Sequence, residues 1–115
     1  PFGEGKTEMY KSAVDLSDKA KLEQSFKQIF AGLDDVGVSA LYLGFTKSIS
    51  GRESSVTALD FANALKFGVQ SMGAVTPLER QASIIKRIPQ MIDALSVTSN
   101  NVTLFVNDVK AFLLS

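Results

Sequence analysis

Few residues in this 115-residue chain could do chemistry, and neither histidine nor cysteine is among them. The chain therefore lacks the commonest general base, a thiolate nucleophile, and the imidazole and sulfur ligands that metals favour. A serine nucleophile would need a lysine or a carboxylate as its base, yet the sequence has neither a Gly-x-Ser-x-Gly turn nor a Ser-x-x-Lys pair at a predicted helix start. We predict that the protein is not an enzyme and has no catalytic, cofactor-binding or metal-binding residues.

Two short motifs could bind ions, but each has a simpler interpretation. Gly5-Lys6-Thr7 matches the end of a phosphate-binding loop, yet the first glycine of that motif would precede residue 1 and no strand leads into it. Asp34-Asp35 could hold a cation, although calcium needs about six to eight oxygens and no further acid follows nearby. We interpret the first motif as a terminal segment and the second as a helix end in solvent.

The charge pattern argues against nucleic-acid and membrane partners. The 12 basic and 12 acidic residues cancel, so no large field attracts phosphate backbones or anionic lipids. Arg80, Lys86 and Arg87 form a basic cluster that could meet a phosphate or an acidic partner, but three charges are ordinary on a solvent-exposed helix face. Asn101-Val102-Thr103 matches the acceptor for N-glycosylation, and a helix cap explains Asn101 equally well.

The elements that must position these residues are helices, because apolar residues recur with a helical period in four segments. The four helices are predicted over residues 17–33, 55–72, 76–95 and 102–114. Residues 38–50 fit both a helix and a strand, and we prefer the helix because no partner strand is found. The sequence thus predicts an all-α fold, a five-helix bundle in residues 17–115, preceded by an arm or short helix in residues 1–16.

Capping residues and apolar stripes define these helices further. Ser17 is the expected N-cap of the first helix, and Thr76 with Glu79 forms an expected capping box for the fourth. Pro89 removes an amide donor from the interior of the fourth helix, so we expect a bend near residue 86. The stripe predicted to face the core from this helix consists of Leu78, Ile85, Ile88, Ile92 and Leu95.

Three further motifs accompany the five predicted helices. Gly51-Arg52 precedes the third helix, and Ala58-Leu59-Asp60 lies inside it. The last helix follows an Asn and carries Phe105-Val106-Asn107-Asp108-Val109. Over residues 19–115 this combination resembles the five-helix terminal domains of spider silk proteins (spidroins), in which a Gly-Arg pair, an Ala-Leu-Asp helix and a repeated Phe-Ile/Val pattern occur in this order. The resemblance implies a secreted structural domain that keeps silk protein soluble and self-associates.

Departures from the family limit what the resemblance implies. The amino-terminal domain of spidroins usually has a tryptophan in its first helix region, and this chain has none. The lysine and glutamate that help that domain to dimerise in response to pH align near Ser55 and Val69, neither of which titrates. The resemblance therefore does not imply the family's pH switch for this chain.

Apolar side chains outside the core stripes predict self-association. Phe67 lies opposite the core stripe of its helix, Leu43 and Leu104 also lie outside theirs, and Leu114 is near the end of the sequence. These four residues are the candidate interface of a homodimer, with Phe67 as its anchor because buried aromatics contribute most of the energy of an interface. The alternative is that other parts of the same monomer cover them.

We therefore predict a non-enzymatic self-assembly domain of a secreted, silk-type protein that acts by bundle-to-bundle association. An alternative is a small carrier that holds a fatty acid or another apolar ligand between its helices. A third hypothesis is an adaptor that presents a groove to a partner helix.

Overall fold

The computed structural model describes residues 13–96, which form four helices and one pair of very short strands. In chain order these elements are β1 (Ala13–Val14), α1 (Lys19–Ile29), α2 (Asp35–Ser48), β2 (Val56–Thr57), α3 (Ala58–Gly73) and α4 (Leu78–Ser96). The predicted all-α class is confirmed. The helix predicted over 102–114, the Asn101 acceptor motif and Gly5-Lys6-Thr7 lie outside the described residues, so five helices remain a prediction.

The two strands attach the start of the described chain to the middle of it. β1 pairs antiparallel with β2, so that Ala13 lies opposite Thr57 and Val14 opposite Val56. The Leu16 amide extends this contact by donating to the carbonyl of Glu53 at 2.7 Å. Val14 and Leu16 are both buried. The end of the predicted arm is therefore a strand held against the core, where the sequence offered an arm or a helix.

The first helix begins and ends inside its predicted bounds. The N-cap is Asp18, whose carboxylate accepts the Lys21 amide at 3.1 Å, whereas the predicted cap, Ser17, donates its amide to Asp15. The helix stops at Ile29 because Gly32 follows at a φ of +82°, in the left-handed region that a right-handed helix cannot include. The shorter helix leaves room for a turn that α4 contacts.

The caps of α2 and α3 were not predicted from the sequence, and the cap predicted for α4 is not formed. Asp34 caps α2, and Thr57 with Asp60 forms a capping box for α3, so both helices start three residues from their predicted positions. The predicted Thr76 cap is wrong, since Thr76 Oγ1 is buried without a hydrogen-bond partner among the described residues. The Arg80 and Gln81 amides instead bond the Pro77 carbonyl. From there α4 continues through Pro89 without ending.

The core lies between the helices and is rich in aromatic rings. Phe26 of α1 contacts Tyr42 edge-on at a centroid distance of 5.1 Å and Phe45 at 5.6 Å, and Phe45 contacts Phe61 of α3 at 5.3 Å. Such tilted and edge-on pairs add to the energy of simple burial. This chain of rings joins α1, α2 and α3.

The stripe predicted for α4 is correct in part. Ile88, Ile92 and Leu95 are buried, but Leu78 is 80% exposed and Ile85 is 43% exposed. Ile84 and Met91 are fully buried in their place. The correction has a simple cause: Ile84 and Ile85 are neighbours 100° apart on the helix, and periodicity alone does not decide which of them faces the core.

Candidate interaction surface

Several charged side chains of the described region form ion pairs or hydrogen bonds within the chain. Within residues 13–96, no group of three acidic, histidine or cysteine side chains could hold a metal ion. The buried side chains are apolar except for Thr76.

Asp35 is exposed at a helix end, as predicted, but Asp34, the N-cap of the same helix, is a structural carboxylate that is mostly shielded from solvent. Its side chain is only 11% exposed, and one oxygen accepts the Gly37 amide at 2.9 Å. The other oxygen accepts Arg80 Nη1 at 2.8 Å. The Gly37 hydrogen bond, followed by the one from Arg80, lowers the pKa of Asp34 because both stabilise the carboxylate. With both oxygens engaged, Asp34 is poorly placed to bind a cation.

Two of the three residues of the predicted basic cluster, Arg80 and Arg87, bind groups of this same chain, and the third is Lys86. Arg87 Nη1 donates to the carbonyl oxygens of Ile29 at 3.1 Å and Ala31 at 3.0 Å. These carbonyls lie at the end of α1, where backbone acceptors have no partner in the helix and favour a cation. Because Arg80 pairs with Asp34, both arginines bind the turn between α1 and α2. We call these two contacts the arginine clasp.

The two motifs that precede and open α3 contact each other. Arg52 Nη1 lies 3.1 Å from Asp60 Oδ1, and its Nη2 donates to the Ser48 carbonyl at 2.7 Å. Asp60 also belongs to the capping box with Thr57. Gly51, at a φ of +86°, lets the chain turn just before Arg52. Gly51-Arg52 and Ala58-Leu59-Asp60 thus form one joint between the end of α2 and the start of α3.

The predicted interface residues Phe67 and Leu43 come together at the crossing of α2 and α3. Each directly precedes a glycine, and a Cβ atom added to Gly44 would lie 2.8 Å from the Cα of Gly68. The Cα atoms of Leu43 and Phe67 are therefore within about 12 Å of each other, since each lies one 3.8 Å step from its glycine. Phe67 is 42% exposed and Leu43 is 64% exposed. Leu104 and Leu114 lie outside the described residues.

Further exposed apolar residues were not identified from the sequence. Leu59 is 41% exposed and lies eight residues before Phe67, with the exposed polar residue Asn63 halfway between them. This spacing of four places all three on one side of α3, where Asn63 separates the two apolar side chains. The spacing is readable in the sequence and could have identified Leu59. The exposure of Leu78 and Ile85 could not be identified in this way, because the sequence pattern assigns both residues to the core.

Shallow recesses line the surface between α1 and α2. One has a volume of about 140 Å³ and another about 220 Å³. Cavities that enclose drug-sized ligands usually measure about 300 to 1,000 Å³. Neither recess favours the carrier alternative, which stays a prediction without a specific observation behind it.

Comparisons with protein-family models, curated proteins and solved structures found no match to this chain. No helix in the described region is both long and apolar enough to cross a lipid bilayer. What the protein does must therefore be argued from its own surfaces.

Proposed function

We propose that this chain is a non-enzymatic self-assembly domain that forms a homodimer through the crossing of α2 and α3. The observation that carries the proposal is the exposure of Phe67 beside Leu43, whereas Phe26, Phe45 and Phe61 are buried in the core. An exposed aromatic ring loses its contact with water when a second copy covers it, and such rings contribute most of the energy of an interface. Phe67 is the anchor in this proposal.

The charge of the chain supports a second copy as the partner. The 12 basic and 12 acidic residues give no net charge, so two copies meet without long-range repulsion. The close approach of Gly44 and Gly68 also fixes the backbone that carries Leu43 and Phe67 before binding. A preorganised surface loses less conformational entropy on association.

The proposal also covers the kind of protein to which this domain belongs. We infer a secreted, silk-type structural protein whose terminal domain completes a five-helix bundle with residues 102–114. The Arg52–Asp60 contact supports this inference, because it joins two of the three motifs on which the resemblance to spidroin terminal domains rests. In this view the joint sets the angle between α2 and α3, and hence the position of the proposed interface.

Sedimentation across a range of protein concentrations tests the homodimer. The wild-type chain is expected to change from monomer to dimer as concentration rises, and Phe67→Ser should shift this transition to higher concentration. Ile85→Ser is the matched control, because Ile85 is 43% exposed, close to the 42% of Phe67, but lies on α4. Circular dichroism should report folded bundles for both variants.

Two results would overturn the proposal. One is a wild-type chain that stays monomeric at every concentration. The other is a dimer that Phe67→Ser and Ile85→Ser weaken equally, because that would place the interface elsewhere.

A further inference from the structure

An apolar stripe runs along the exposed side of α4. Leu78 and Ile85 are 80% and 43% exposed, and Ala82 and Pro89 are exposed as well. These four residues are spaced by four, three and four positions, which places their side chains in one row along a helix. The row is about 17 Å long, and we call it the α4 seam.

The α4 seam is turned away from the core and from the arginine clasp. Arg80 and Arg87, which bind the turn between α1 and α2, lie about 160 to 180° around the helix from Leu78. Ile84, which is fully buried, lies about 120° from Leu78. The seam also has no residue in α2 or α3, so it is a surface separate from the proposed homodimer interface.

Charged residues flank one side of the α4 seam. Glu79 directly follows Leu78, and Lys86 directly follows Ile85, so the two charges are seven residues apart on the same side. Both are exposed, and neither forms an ion pair with another residue of the range 13–96. In paired helices, residues at these flanking positions select the partner and its direction. The flank therefore offers a partner one negative and one positive charge.

A second copy of α4 matches this pattern when the two helices are antiparallel. With the two seams aligned end to end, Ala82 of each copy lies opposite Ile85 of the other, so a small side chain meets a large one. In this register Glu79 lies beside Lys86 of the second copy, and two-fold symmetry forms that pair twice. A parallel pair would place Lys86 beside Gln81 of the second copy, without an opposite charge.

We propose that the α4 seam is a second self-association surface, at which two copies pair through antiparallel α4 helices. The partner is a second copy because the chain itself supplies the complementary charges at the required spacing. The seam has no aromatic residue, so this contact forms at a higher protein concentration than the homodimer anchored by Phe67. Ile85→Ser therefore leaves that homodimer intact.

Two separate two-fold contacts on one chain would join the molecules into an open row. This extended assembly rests on the proposed homodimer, because it needs both contacts. The pairing of α4 does not rest on it, so the two proposals can fail separately.

An exchange of charges tests the α4 pairing in the Phe67→Ser variant, which lacks the anchor of the other interface. Sedimentation at low ionic strength should show that this variant associates at high protein concentration. Adding Glu79→Lys or Lys86→Glu should raise the concentration needed about tenfold, because like charges then meet twice. Adding both substitutions together should restore association. Lys21→Glu makes the same charge change at an exposed position of α1 and is the matched control.

Mixing the two single charge variants gives the sharpest outcome. An equimolar mixture should associate as readily as the Phe67→Ser parent, because opposite charges meet at both positions of a mixed pair. A Phe67→Ser parent that stays monomeric at every concentration would overturn the α4 pairing and leave the homodimer standing. So would a double variant and a mixture that both stay as weak as the single variants. If wild type and Phe67→Ser associate at the same concentration, the homodimer fails, and the charge exchange still decides the α4 pairing.

Distances between nitroxide labels test the direction of the pair, and the absence of cysteine makes single labelling straightforward. In the same Phe67→Ser background, Ser83→Cys and Gln90→Cys place labels seven residues apart on one side of α4, at exposed positions outside the seam. In the antiparallel pair the two Ser83 labels lie level, whereas the two Gln90 labels are about 20 Å apart along the axis. The distance between labels should therefore be about 7 to 10 Å longer at Gln90→Cys. Equal distances would indicate parallel helices, and no measurable distance at either position would indicate that α4 does not pair; either result would overturn the proposal.

Discussion

The crossing of α2 and α3 and the arginine clasp on the α1–α2 turn hold helices together in opposite ways. At the crossing, backbones touch: a Cβ atom on Gly68 would lie 2.7 Å from the Leu41 carbonyl oxygen, and one on Gly44 would lie 2.8 Å from the Cα of Gly68. At the clasp, long side chains reach across, with Arg80 on Asp34 and Arg87 on the end of α1.

The two contacts should therefore respond differently to change. A backbone contact leaves no room for even a methyl group, so it is intolerant of substitution but insensitive to pH and salt. A clasp made of partly exposed charges is adaptable, and each of its bonds contributes little by itself. Close packing fixes the geometry of the α2–α3 pair, and charge adjusts how α4 attaches.

The largest effect is expected at the crossing. Gly68→Ala should lower the free energy of unfolding by about 3 kcal/mol, because the added methyl group meets backbone atoms that cannot move aside. Gly73→Ala is the control on the same helix, where the nearest atom to the new Cβ would be 3.6 Å away. Its stability should be unchanged or raised by up to about 1 kcal/mol. Urea denaturation of both variants gives the comparison, and similar midpoints would mean that the helices separate easily.

Thr76, next to the start of α4, allows a substitution that should stabilise the protein. Its hydroxyl is buried without a partner among the described residues, and a Cβ on Gly37 would lie 2.7 Å from it. Thr76→Val keeps the shape and removes the unsatisfied oxygen, so the free energy of unfolding should rise by about 1 kcal/mol. Thr76→Ser, which keeps the hydroxyl and loses the methyl group, should be less stable than wild type. A Thr76→Val variant with a lower denaturation midpoint would indicate that the hydroxyl has a partner.

Removing one arm of the clasp should have a modest effect. Arg87→Met keeps most of the side-chain length and removes the two bonds to the end of α1, at a cost of about 1 kcal/mol in the free energy of unfolding. Lys86→Met is the matched control, because Lys86 is exposed one residue earlier on α4. Guanidinium would screen these charges, so urea is the suitable denaturant. Equal losses in the two variants would show that positive charge, and not the contact, matters.

The smallest effect concerns pH. The pKa of Asp34 is lowered in the folded protein by Gly37 and Arg80, and its unfolded value is about 3.9. Its contribution to stability is therefore complete above that unfolded value and is lost as pH falls through the lowered folded pKa. The Asp34→Asn variant should show a shallower loss of stability below about pH 4 than wild type. Asp35→Asn removes the same charge one residue later, so its curve is the reference with which the Asp34→Asn curve is compared. Parallel curves for wild type and Asp34→Asn would contradict the assignment.

The sequence by itself determined the helical class and the approximate place of each described helix. Apolar side chains at a period of 3.6 residues share one face only on a helix, so the stripe predicted for α4 correctly placed Ile88, Ile92 and Leu95 in the core. The exposure of Phe67 was also readable, since it lies opposite the apolar stripe of its own helix. These are local properties, and they depend on residues within a few turns of one another.

Only the tertiary structure decided where the helices end and which distant residues contact each other. Asp34 caps α2 and also meets Arg80, 46 residues later, and no local pattern indicates such a pairing. The choice of Ile84 over Ile85 for the core depends on how α4 rotates when the arginine clasp and the core contacts form together. The contact of Gly44 with Gly68 likewise joins two residues that look merely unfavourable for a helix in the sequence. In each case the deciding energy comes from atoms distant in the chain, and only the folded chain brings those atoms together.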